Sequence, residues 1–279
     1  MLYRKIILIL GFGLLGLNAS AQLESHQGDN GKMGFMDNDK WVVQPIYDKV
    51  TEFYDFSIAG VKLNGKWGFI DRSGKTVLPF QYSEIKYNEG AFSTVSANGK
   101  FGIIDLVKGV EVMKCVYDKQ FYFDNGLFGS LGMVALVQRN GKEGIVNLDG
   151  TEVIPCLYDP RSIQEEDSAH LTVRIGKKQG MVDLKGTAVV PCQFEQVMIN
   201  SDKFVDTLSG KKKGLYSLEG KEIAACMYDN YILFDSDGFA IVQLKGKYGL
   251  IDRAGTLVLP CRYANDDSMQ VDREKLRKN

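Results

Sequence analysis

A glycine recurs at near-constant spacing along this chain and constrains its fold more than any other feature. Successive intervals are 34, 34, 42, 36, 34 and 35 residues, and an aromatic residue closes each copy 13 to 15 residues later. Self-similarity at a fixed period indicates a repeat architecture, in which one unit cannot bury its apolar face alone. The sequence therefore predicts one small unit copied seven times. We call the recurring residues the anchor glycines: Gly34, Gly68, Gly102, Gly144, Gly180, Gly214 and Gly249.

Each copy predicts an antiparallel meander of three or four strands. Roughly alternating apolar segments, such as residues 241–244, precede the anchor glycine, and such alternation is typical of a half-buried strand. Asn-Gly pairs then predict type I′ hairpin turns. The anchor strand follows, then a second turn such as Ser73-Gly74, and a third strand that stops at a proline such as Pro79. A short fourth segment, such as residues 83–87, leads on to the next copy. The Asn-Gly pairs begin at Asn30, Asn64, Asn98 and Asn140.

The chain divides into a leader, a repeat array and a tail. Arg4 and Lys5 precede an apolar run over residues 6–17 and an Ala19-Ser20-Ala21 pattern, so residues 1–21 are predicted to be a secretory signal peptide. No cysteine stands at the cleavage point, and no second apolar run is long enough to span a bilayer. We therefore expect an exported, periplasmic or extracellular protein without a lipid anchor or membrane span. Residues 22–264 form the predicted array, and residues 265–279 a polar C-terminal tail.

The sequence is compatible with two all-β arrangements of the seven copies. The first is a propeller-like ring and the second an open β-solenoid in which each unit touches its neighbours. Residues 23–29 are polar, so the first copy is predicted to lack its first strand. A ring could supply that strand from the C-terminus, although residues 264–279 are polar too and suit an open array with polar ends. The ring is slightly favoured.

The second copy carries a recognisable family pattern. It reads NGKWGFID from Asn64 to Asp71, followed by Gly74-Lys75 and Val77-Leu78-Pro79. This run resembles the WG-containing (KWG) repeat family, and the resemblance covers essentially all of the chain after residue 21. Trp67 belongs to the one Trp-Gly pair among the seven copies. The resemblance implies structural or binding modules of bacterial proteins, often exported, and it supplies no catalytic residues.

Five cysteines share one position of the repeat, two residues before the closing aromatic. Equivalent residues of successive three-stranded units are about 14 Å apart, whereas a disulfide needs Cα atoms within about 7 Å. Phe80 fills the same position in the second copy, which predicts a buried apolar position. A single non-adjacent disulfide and a metal or redox role are the alternatives. The cysteines are Cys115, Cys156, Cys192, Cys226 and Cys261.

Two series of acidic residues also follow the period. The first ends the anchor strand, where a carboxylate can bind metal or close its own turn through the backbone; asparagine or serine in two copies favours the turn. The second follows the closing aromatic and is open to the same two interpretations. We favour the turn role in both series and expect no metal and no cofactor. The first series is Asp37, Asp71, Asp105, Asp183 and Asp252; the second is Asp48, Asp118, Asp159, Glu195 and Asp229.

One insertion breaks the period. The closing aromatic Tyr117 and the anchor Gly144 are 27 residues apart, against 20 between Tyr82 and Gly102. Insertions in repeat arrays tend to form loops on one face, often the binding face. The alternative is a lengthened hairpin that packs on its own array. The candidate binding residues are Phe121, Tyr122, Phe123, Leu127 and Phe128.

Charge and motifs narrow the functional class. The chain has 34 basic and 35 acidic residues, which supplies no field for nucleic acid. The two histidines, His26 and His170, stand beside no recognisable nucleophile, and residues 235–238 match the start of a calcium loop without its distal glutamate. We predict a monomeric, exported, non-enzymatic scaffold that binds a protein or glycan at the cell envelope. A purely structural envelope component and a hydrolase on a propeller-like frame are the alternatives.

Overall fold

The computed structural model describes residues 23–53, 56–87, 91–124 and 126–276, with Tyr87 described by its backbone alone. The predicted signal peptide over residues 1–21 lies outside these residues. Within them the chain forms seven antiparallel sheets of three or four strands. The prediction of an all-β chain of tandem meanders is confirmed. The choice between a ring and an open solenoid stays a prediction.

The chain separates into two compact units. The first unit reaches to Tyr82 and includes Leu106–Gly109; the second contains Ser83–Asp105 and the chain from Val110 onward. Sheets one and two belong to the first unit. Sheet one contains strands β1 to β3, over Glu24–Gln27, Met33–Asp37 and Lys40–Tyr47. Sheet two contains β4 to β7, over Lys49–Val50, Ile58–Leu63, Lys66–Asp71 and Thr76–Tyr82.

The second unit contains sheets three to seven. Sheet three has β8 to β11, over Glu84–Tyr87, Phe92–Ala97, Lys100–Asp105 and Val110–Tyr117. Sheet four has β12 to β14, over Val134–Arg139, Lys142–Asn147 and Glu152–Tyr158. Sheet five has β15 to β18, over Gln164–Glu165, His170–Ile175, Lys178–Asp183 and Ala188–Phe194. Sheet six has β19 to β22, over Gln196–Ile199, Phe204–Ser209, Lys212–Ser217 and Glu222–Tyr228. Sheet seven has β23 to β25, over Phe239–Leu244, Lys247–Asp252 and Leu257–Tyr263.

The described helices are short. Two 3₁₀ turns cover Gly129–Leu131 and Asp267–Met269, and the α-helix α1 covers Gln270–Leu276. Met269 is completely buried against Leu250 and Leu259 of sheet seven. The predicted polar tail therefore includes a segment that covers the apolar face of sheet seven.

The segment after each closing aromatic joins the sheet of the following repeat. Strand β8, for example, follows Tyr82 and pairs with β9 of sheet three. In sheets four and seven a single bridge, Asp124 to Val134 or Phe234 to Ala240, takes the place of this strand. We call these stretches the outer segments. They explain why some sheets have four strands and others three.

The anchor glycines sit opposite a bulge in the closing strand. In sheet three the register jumps from Phe101 opposite Tyr117 to Ile103 opposite Met113, so the closing strand crowds Gly102. A Cβ atom on Gly102 would lie 2.4 Å from the Met113 carbonyl oxygen. Glycine is required there because two backbones approach too closely for any side chain.

The hairpin predictions hold for three Asn-Gly pairs and fail for the fourth. Asn64 and Gly65 have φ values of 52° and 80°, as a type I′ turn needs, and the pairs at Asn98 and Asn140 match them. At Asn30 the prediction is wrong, because the turn is longer and Gly28 N–H donates to the Lys32 carbonyl at 2.8 Å.

The prediction that the first copy lacks its first strand is also wrong. Strand β1 pairs with β2 through four residue pairs, although its own residues are polar and mostly exposed. Backbone pairing, with Leu23 buried beside the strand, is enough to form it.

Successive sheets of the second unit pack through equivalent contacts. Sheets four and five share a core that includes Ile145 and Leu171. The glycine of each second turn lies against the closing strand of the preceding sheet: a Cβ atom on Gly150 would lie 2.6 Å from the Val112 carbonyl oxygen, and one on Gly186 2.7 Å from that of Val153. A backbone-to-backbone contact is thus repeated from sheet to sheet, which keeps neighbouring sheets in register.

Candidate binding surface

The acids that end the anchor strands close their own turns. One oxygen of Asp71 accepts hydrogen bonds from the backbone N–H of Ser73 and Lys75, at 2.9 and 3.0 Å. The same pair of bonds forms at Asn147, Asp183 and Asp252. The turn interpretation is confirmed at these positions.

The second acid series links neighbouring repeats, which the turn prediction did not foresee. Asp159 lies 2.5 Å from Lys142 Nζ in its own repeat and accepts a 2.6 Å hydrogen bond from Gly176 N–H in the next. Asp118 and Asp229 bind a lysine and the next hairpin turn in the same way, and Glu195 binds the turn alone. The turn prediction is corrected here, because these carboxylates hold adjacent repeats together.

These links predict a loss of stability in acid. The Lys142 ammonium and the Gly176 N–H lower the pKa of Asp159, and the Gly141 N–H and Lys100 lower that of Asp118. Because the folded pKa lies below the unfolded value of about 3.9, the stabilisation is present above that pH and is lost as pH falls through the folded pKa. We expect the melting temperature to fall steeply below about pH 4. The melting temperature of the double variant Asp118→Asn, Asp159→Asn should fall less over the same pH range. An equal fall in the double variant and the unmodified protein would contradict the role given to these carboxylates.

The remaining polar candidates have structural roles as well. Asp235 Oδ1 accepts from Asp237 N–H and Phe239 N–H at 2.9 and 3.0 Å, and its other oxygen pairs with Arg273, so the residues that match a calcium loop form a turn. Among the described residues, no group of three or more His, Cys, Asp or Glu side chains could hold a metal ion. The five thiols are free; Cys156 is buried as predicted, and the other four are half-buried.

The insertion residues do not share one environment. Phe121 is 4% exposed and packs edge-on to Tyr117 at 5.2 Å, Phe123 packs on Phe92 at 5.9 Å, and Phe128 is 5% exposed in the core of sheets four and five. Phe121 and Phe128 fit the packing alternative, because a buried ring cannot contact a partner. Phe123 is half-buried and also packs on a neighbouring ring. Tyr122 and Leu127 are 52% and 40% exposed, and the binding prediction stays with them.

Matched substitutions at two adjacent positions test this division. Phe121→Leu should lower the free energy of unfolding by about 1–2 kcal/mol, because it leaves a gap beside Tyr117. Tyr122→Leu should change it by no more than about 0.5 kcal/mol, since the ring is exposed. Urea denaturation measures both. Equal costs at the two positions would show that Tyr122 packs as tightly as Phe121.

The outer segments of sheets three to seven expose one side chain each at an equivalent place. Lys86 stands opposite Thr94, Gln164 opposite Thr172 and Met198 opposite Asp206, each at the third residue of the adjacent strand. In sheets four and seven the bridges pair Asp124 with Val134 and Phe234 with Ala240, and counting back along the chain from them places Tyr122 and Leu233 at the corresponding position. All five side chains are exposed. We call them the outer row: Lys86, Tyr122, Gln164, Met198 and Leu233.

Two members of the outer row touch. Lys86 Nζ donates to the Tyr122 hydroxyl at 3.1 Å and lies 5.7 Å from the centre of the ring. Side chains of neighbouring repeats therefore meet at this position. Sequence reasoning missed the row because its members differ in type and lie four to six residues after the closing aromatic. The signal that could have found it is the distance to the next anchor glycine, which is 16 residues for every member except Tyr122.

A cavity of about 290 Å³ opens beside the last member of the row. Its lining includes Tyr231, Leu233 and Phe239, together with Asp235 and Arg273, which form an ion pair. Arg273 comes from α1 and is 8% exposed. The sequence did not predict the cavity, because Arg273 lies in the segment interpreted as a polar tail.

Comparison with known sequences identifies the repeat. The family described as "WG containing repeat" matches residues 33–67, 67–101, 214–248 and 248–265. The chain contains WG-containing repeats. The WG-repeat plan also extends beyond these matches, since β12 to β18 form the same meanders around Gly144 and Gly180. The predicted resemblance to the WG-containing repeat family is confirmed by these four matches.

Solved structures resemble the chain only distantly, and no curated protein matches it. A eukaryotic initiation factor is 12% identical, with a TM-score of 0.27 over 86% of this chain and 74% of that one. Hsv2p of Kluyveromyces lactis is 10% identical, with a TM-score of 0.25 over 71% of each chain. The dihydro-heme d1 dehydrogenase NirN is 15% identical, with a TM-score of 0.25 over 86% of this chain and 64% of its own. In the described part of the WG-repeat chain, no helix has the length and apolar character needed to cross a membrane.

Proposed function

We propose that this protein is an exported, non-enzymatic WG-repeat scaffold that binds a protein or glycan partner at the cell envelope. The outer row is the observation that carries the proposal. Five successive repeats present one exposed side chain each at the same position, and these side chains differ in chemistry while the turns and anchors around them recur.

The contrast between constant and variable positions supports a binding role. The recurring acids and glycines are engaged in turns, bulges and links between repeats. The outer row instead combines a cation, an aromatic ring, an amide, a thioether and an aliphatic chain. Tyrosine and methionine are enriched at protein interfaces relative to other surfaces. Variation on a constant frame is what a repeat scaffold needs to recognise one partner among many.

A catalytic role has less support. His170 is 8% exposed, and its Nδ1 lies 2.9 Å from Asp167 within the turn that precedes β16. Asp206 is 8% exposed and binds Asn200, and burial raises the pKa of its carboxyl group. Each of these groups has a partner in its own sheet, which fits a structural role.

A capture experiment tests the proposal. The purified protein, immobilised, is exposed to solubilised envelope protein and to purified envelope glycans, beside a variant with Tyr122→Ser, Met198→Ser and Leu233→Ser. The control variant carries Leu157→Ser, Ile175→Ser and Val271→Ser, which are exposed outside the row. Capture should be lost in the row variant and retained in the control. Equal capture by both variants, or none by the unmodified protein, contradicts the proposal.

A further inference from the structure

The hairpin turn before the anchor strand changes in charge along the chain. In sheets two, three and four the two turn residues are Asn-Gly and carry no charge. In sheets five, six and seven one of the two is a lysine, and all three lysines are exposed. A charge added at the same place in three successive repeats indicates a use for that end of the sheets. We call these residues the cationic tips: Lys177, Lys211 and Lys245.

The backbone at Lys245 gives an independent sign that its charge has a role. Lys245 has φ of 51°, in the left-handed region that asparagine and glycine tolerate better than lysine does. Asn64, Asn98 and Asn140 fill the same turn position with φ of 52° or 53°. Within the described residues, the Lys245 side chain has no hydrogen bond or ion pair that would offset this cost. The lysine therefore serves something outside its own turn.

The end of the sheets around the cationic tips is strongly positive, although the whole chain has a net charge of −1. Three carboxylates lie at these turns. Asp159 and Asp229 are each already paired with a lysine, and Glu195 accepts from Gly210 N–H. Five further cations adjoin the tips: Arg174, Lys178, Lys212, Lys213 and Lys247.

The tips of sheets six and seven are held side by side. Lys212, the residue after Lys211, binds one oxygen of Asp229. The other Asp229 oxygen accepts from Gly246 N–H at 3.3 Å, and Gly246 follows Lys245. One carboxylate thus links the two hairpins, so their exposed lysines are neighbours.

An equivalent link connects the tips of sheets five and six. The closing residue Phe194 lies opposite Gln179, next to the hairpin of sheet five. Glu195 follows Phe194, and its Oε2 accepts from Gly210 N–H at 3.0 Å. Gly210 directly precedes Lys211. The three tips therefore form one continuous row across sheets five, six and seven.

This row suits a polymer better than a small anion. A single exposed ion pair contributes little, about 0–1 kcal/mol, whereas a chain that carries many negative charges can engage all three tips at once. Nucleic acids are such chains. However, proteins that bind single strands stack bases on aromatic rings, and nucleic-acid-binding domains are usually basic as a whole. The exposed residues within 174–178, 209–213 and 243–247 include no aromatic ring, and the chain is slightly acidic.

We propose that the cationic tips are a second binding surface, for an acidic polysaccharide that lies across sheets five to seven. This surface is separate from the outer row. Lys245 is four residues beyond Ile241, the third residue of β23, which is about 14 Å along a strand. A lysine ammonium acts as a point charge on a flexible stem, so polysaccharides with carboxylate, sulfate or phosphate groups share the chemistry that it recognises.

Biolayer interferometry of the purified protein on immobilised polysaccharides tests the proposal. The protein should bind polygalacturonate and dextran sulfate but not neutral dextran. The tip variant Lys177→Gln, Lys211→Gln, Lys245→Asn should bind both acidic polysaccharides at least tenfold more weakly. Binding should weaken as salt is added, more steeply in the unmodified protein than in the tip variant, because the contacts are exposed charges.

A control variant removes the same number of charges elsewhere. It carries Lys114→Gln, Lys185→Gln and Lys203→Asn, all at exposed lysines. Lys185 and Lys203 lie at the opposite end of sheets five and six from the tips, and Lys203 matches Lys245 because its φ is 63°. The control should bind acidic polysaccharides as the unmodified protein does, and melting curves should show both variants folded. Equal weakening in the two variants would overturn the proposal, because it would show that net charge alone matters.

The remaining outcomes separate this surface from the proposed function. The outer-row variant Tyr122→Ser, Met198→Ser, Leu233→Ser should still bind acidic polysaccharides. If that variant loses this binding while the tip variant keeps it, the cationic tips are not the site. Binding to duplex DNA or to anionic lipid vesicles, without binding to either acidic polysaccharide, also overturns the inference. Capture of an envelope protein through the outer row would stand in each of these cases.

Discussion

Gly255→Ala should destabilise the protein by about 3 kcal/mol or more, although it adds a single methyl group. Gly255 has φ of 89°, which disfavours any residue with a Cβ atom. The added Cβ would also lie 1.9 Å from the Ile223 carbonyl oxygen of sheet six, so the backbones of sheets six and seven would have to move apart. The cost therefore contains a conformational part and a part from the contact between repeats.

Gly246→Ala is the matched control for Gly255→Ala. Gly246 has φ of 74°, but a Cβ atom there meets nothing within 4 Å. This substitution should cost about 1–2 kcal/mol, the conformational part alone. Urea denaturation of the two variants gives the contribution of the contact by difference. Equal losses would mean that the turn of sheet seven is free of sheet six and would contradict the packing described for the second unit.

Gly102→Ala should cost about 3 kcal/mol for a different reason. Its backbone conformation is open to alanine, but the Cβ atom would lie 2.4 Å from the Met113 carbonyl oxygen and 2.9 Å from Cys115 N. Both atoms belong to the backbone of the closing strand, so no side-chain rotation can relieve the overlap. At roughly 2–4 °C per kcal/mol for a chain of this size, the melting temperature should fall by roughly 6–12 °C.

Alanine substitutions at two further glycines serve as references for Gly102→Ala. Gly129 has no atom within 4 Å of an added Cβ and no positive φ, so Gly129→Ala should change stability by less than about 0.5 kcal/mol. The loss of stability in Gly68→Ala should lie between those in Gly102→Ala and Gly129→Ala. An added Cβ atom on Gly68 has its nearest contacts at 3.0 Å, and two of them belong to the Phe80 ring. A loss at Gly102 no larger than that at Gly129 would show that the bulge is not needed.

The strand plan could be predicted because the residues that set it act locally. An Asn-Gly pair such as Asn64-Gly65 adopts positive φ wherever it joins two strands, and an acid such as Asp71 closes its own turn with its own backbone. The failure at Asn30 has the opposite cause. The turn there extends to Gly28, and the Asn30 side chain binds the Pro45 carbonyl of β3 at 2.9 Å, a partner 15 residues away.

The candidate site was harder to predict because it depends on contacts between repeats. The aromatic insertion suggested a binding loop, yet Phe121 and Phe123 pack on Tyr117 and Phe92 of the preceding sheet. Phe234 packs on Phe204 of the preceding sheet in the same way, at 5.1 Å, without any insertion. Hydrophobic side chains of an outer segment thus pack on the preceding repeat. The sequence alone does not show which residue an aromatic ring will contact.

The cysteines allow the most direct test of the claim that equivalent positions occupy equivalent surroundings. One lies at the same position in each of sheets three to seven: Cys115, Cys156, Cys192, Cys226 and Cys261. Burial raises the pKa of Cys115 and Cys156 to about 11, and it raises the pKa of Cys192 and Cys261 as well. Cys226 Sγ lies 3.2 Å from the Lys212 carbonyl oxygen.

The measurement is thiol labelling of the folded protein at pH 8, resolved for each cysteine by mass spectrometry and compared with the urea-unfolded chain. The raised pKa predicts that Cys115 and Cys156 react about 100-fold more slowly, or slower still, in the folded protein, because the thiolate is the reactive form. The other three should be protected alongside them, and all five should become reactive together as the second unit unfolds. Rapid labelling of several of these thiols while the protein remains folded would contradict the account.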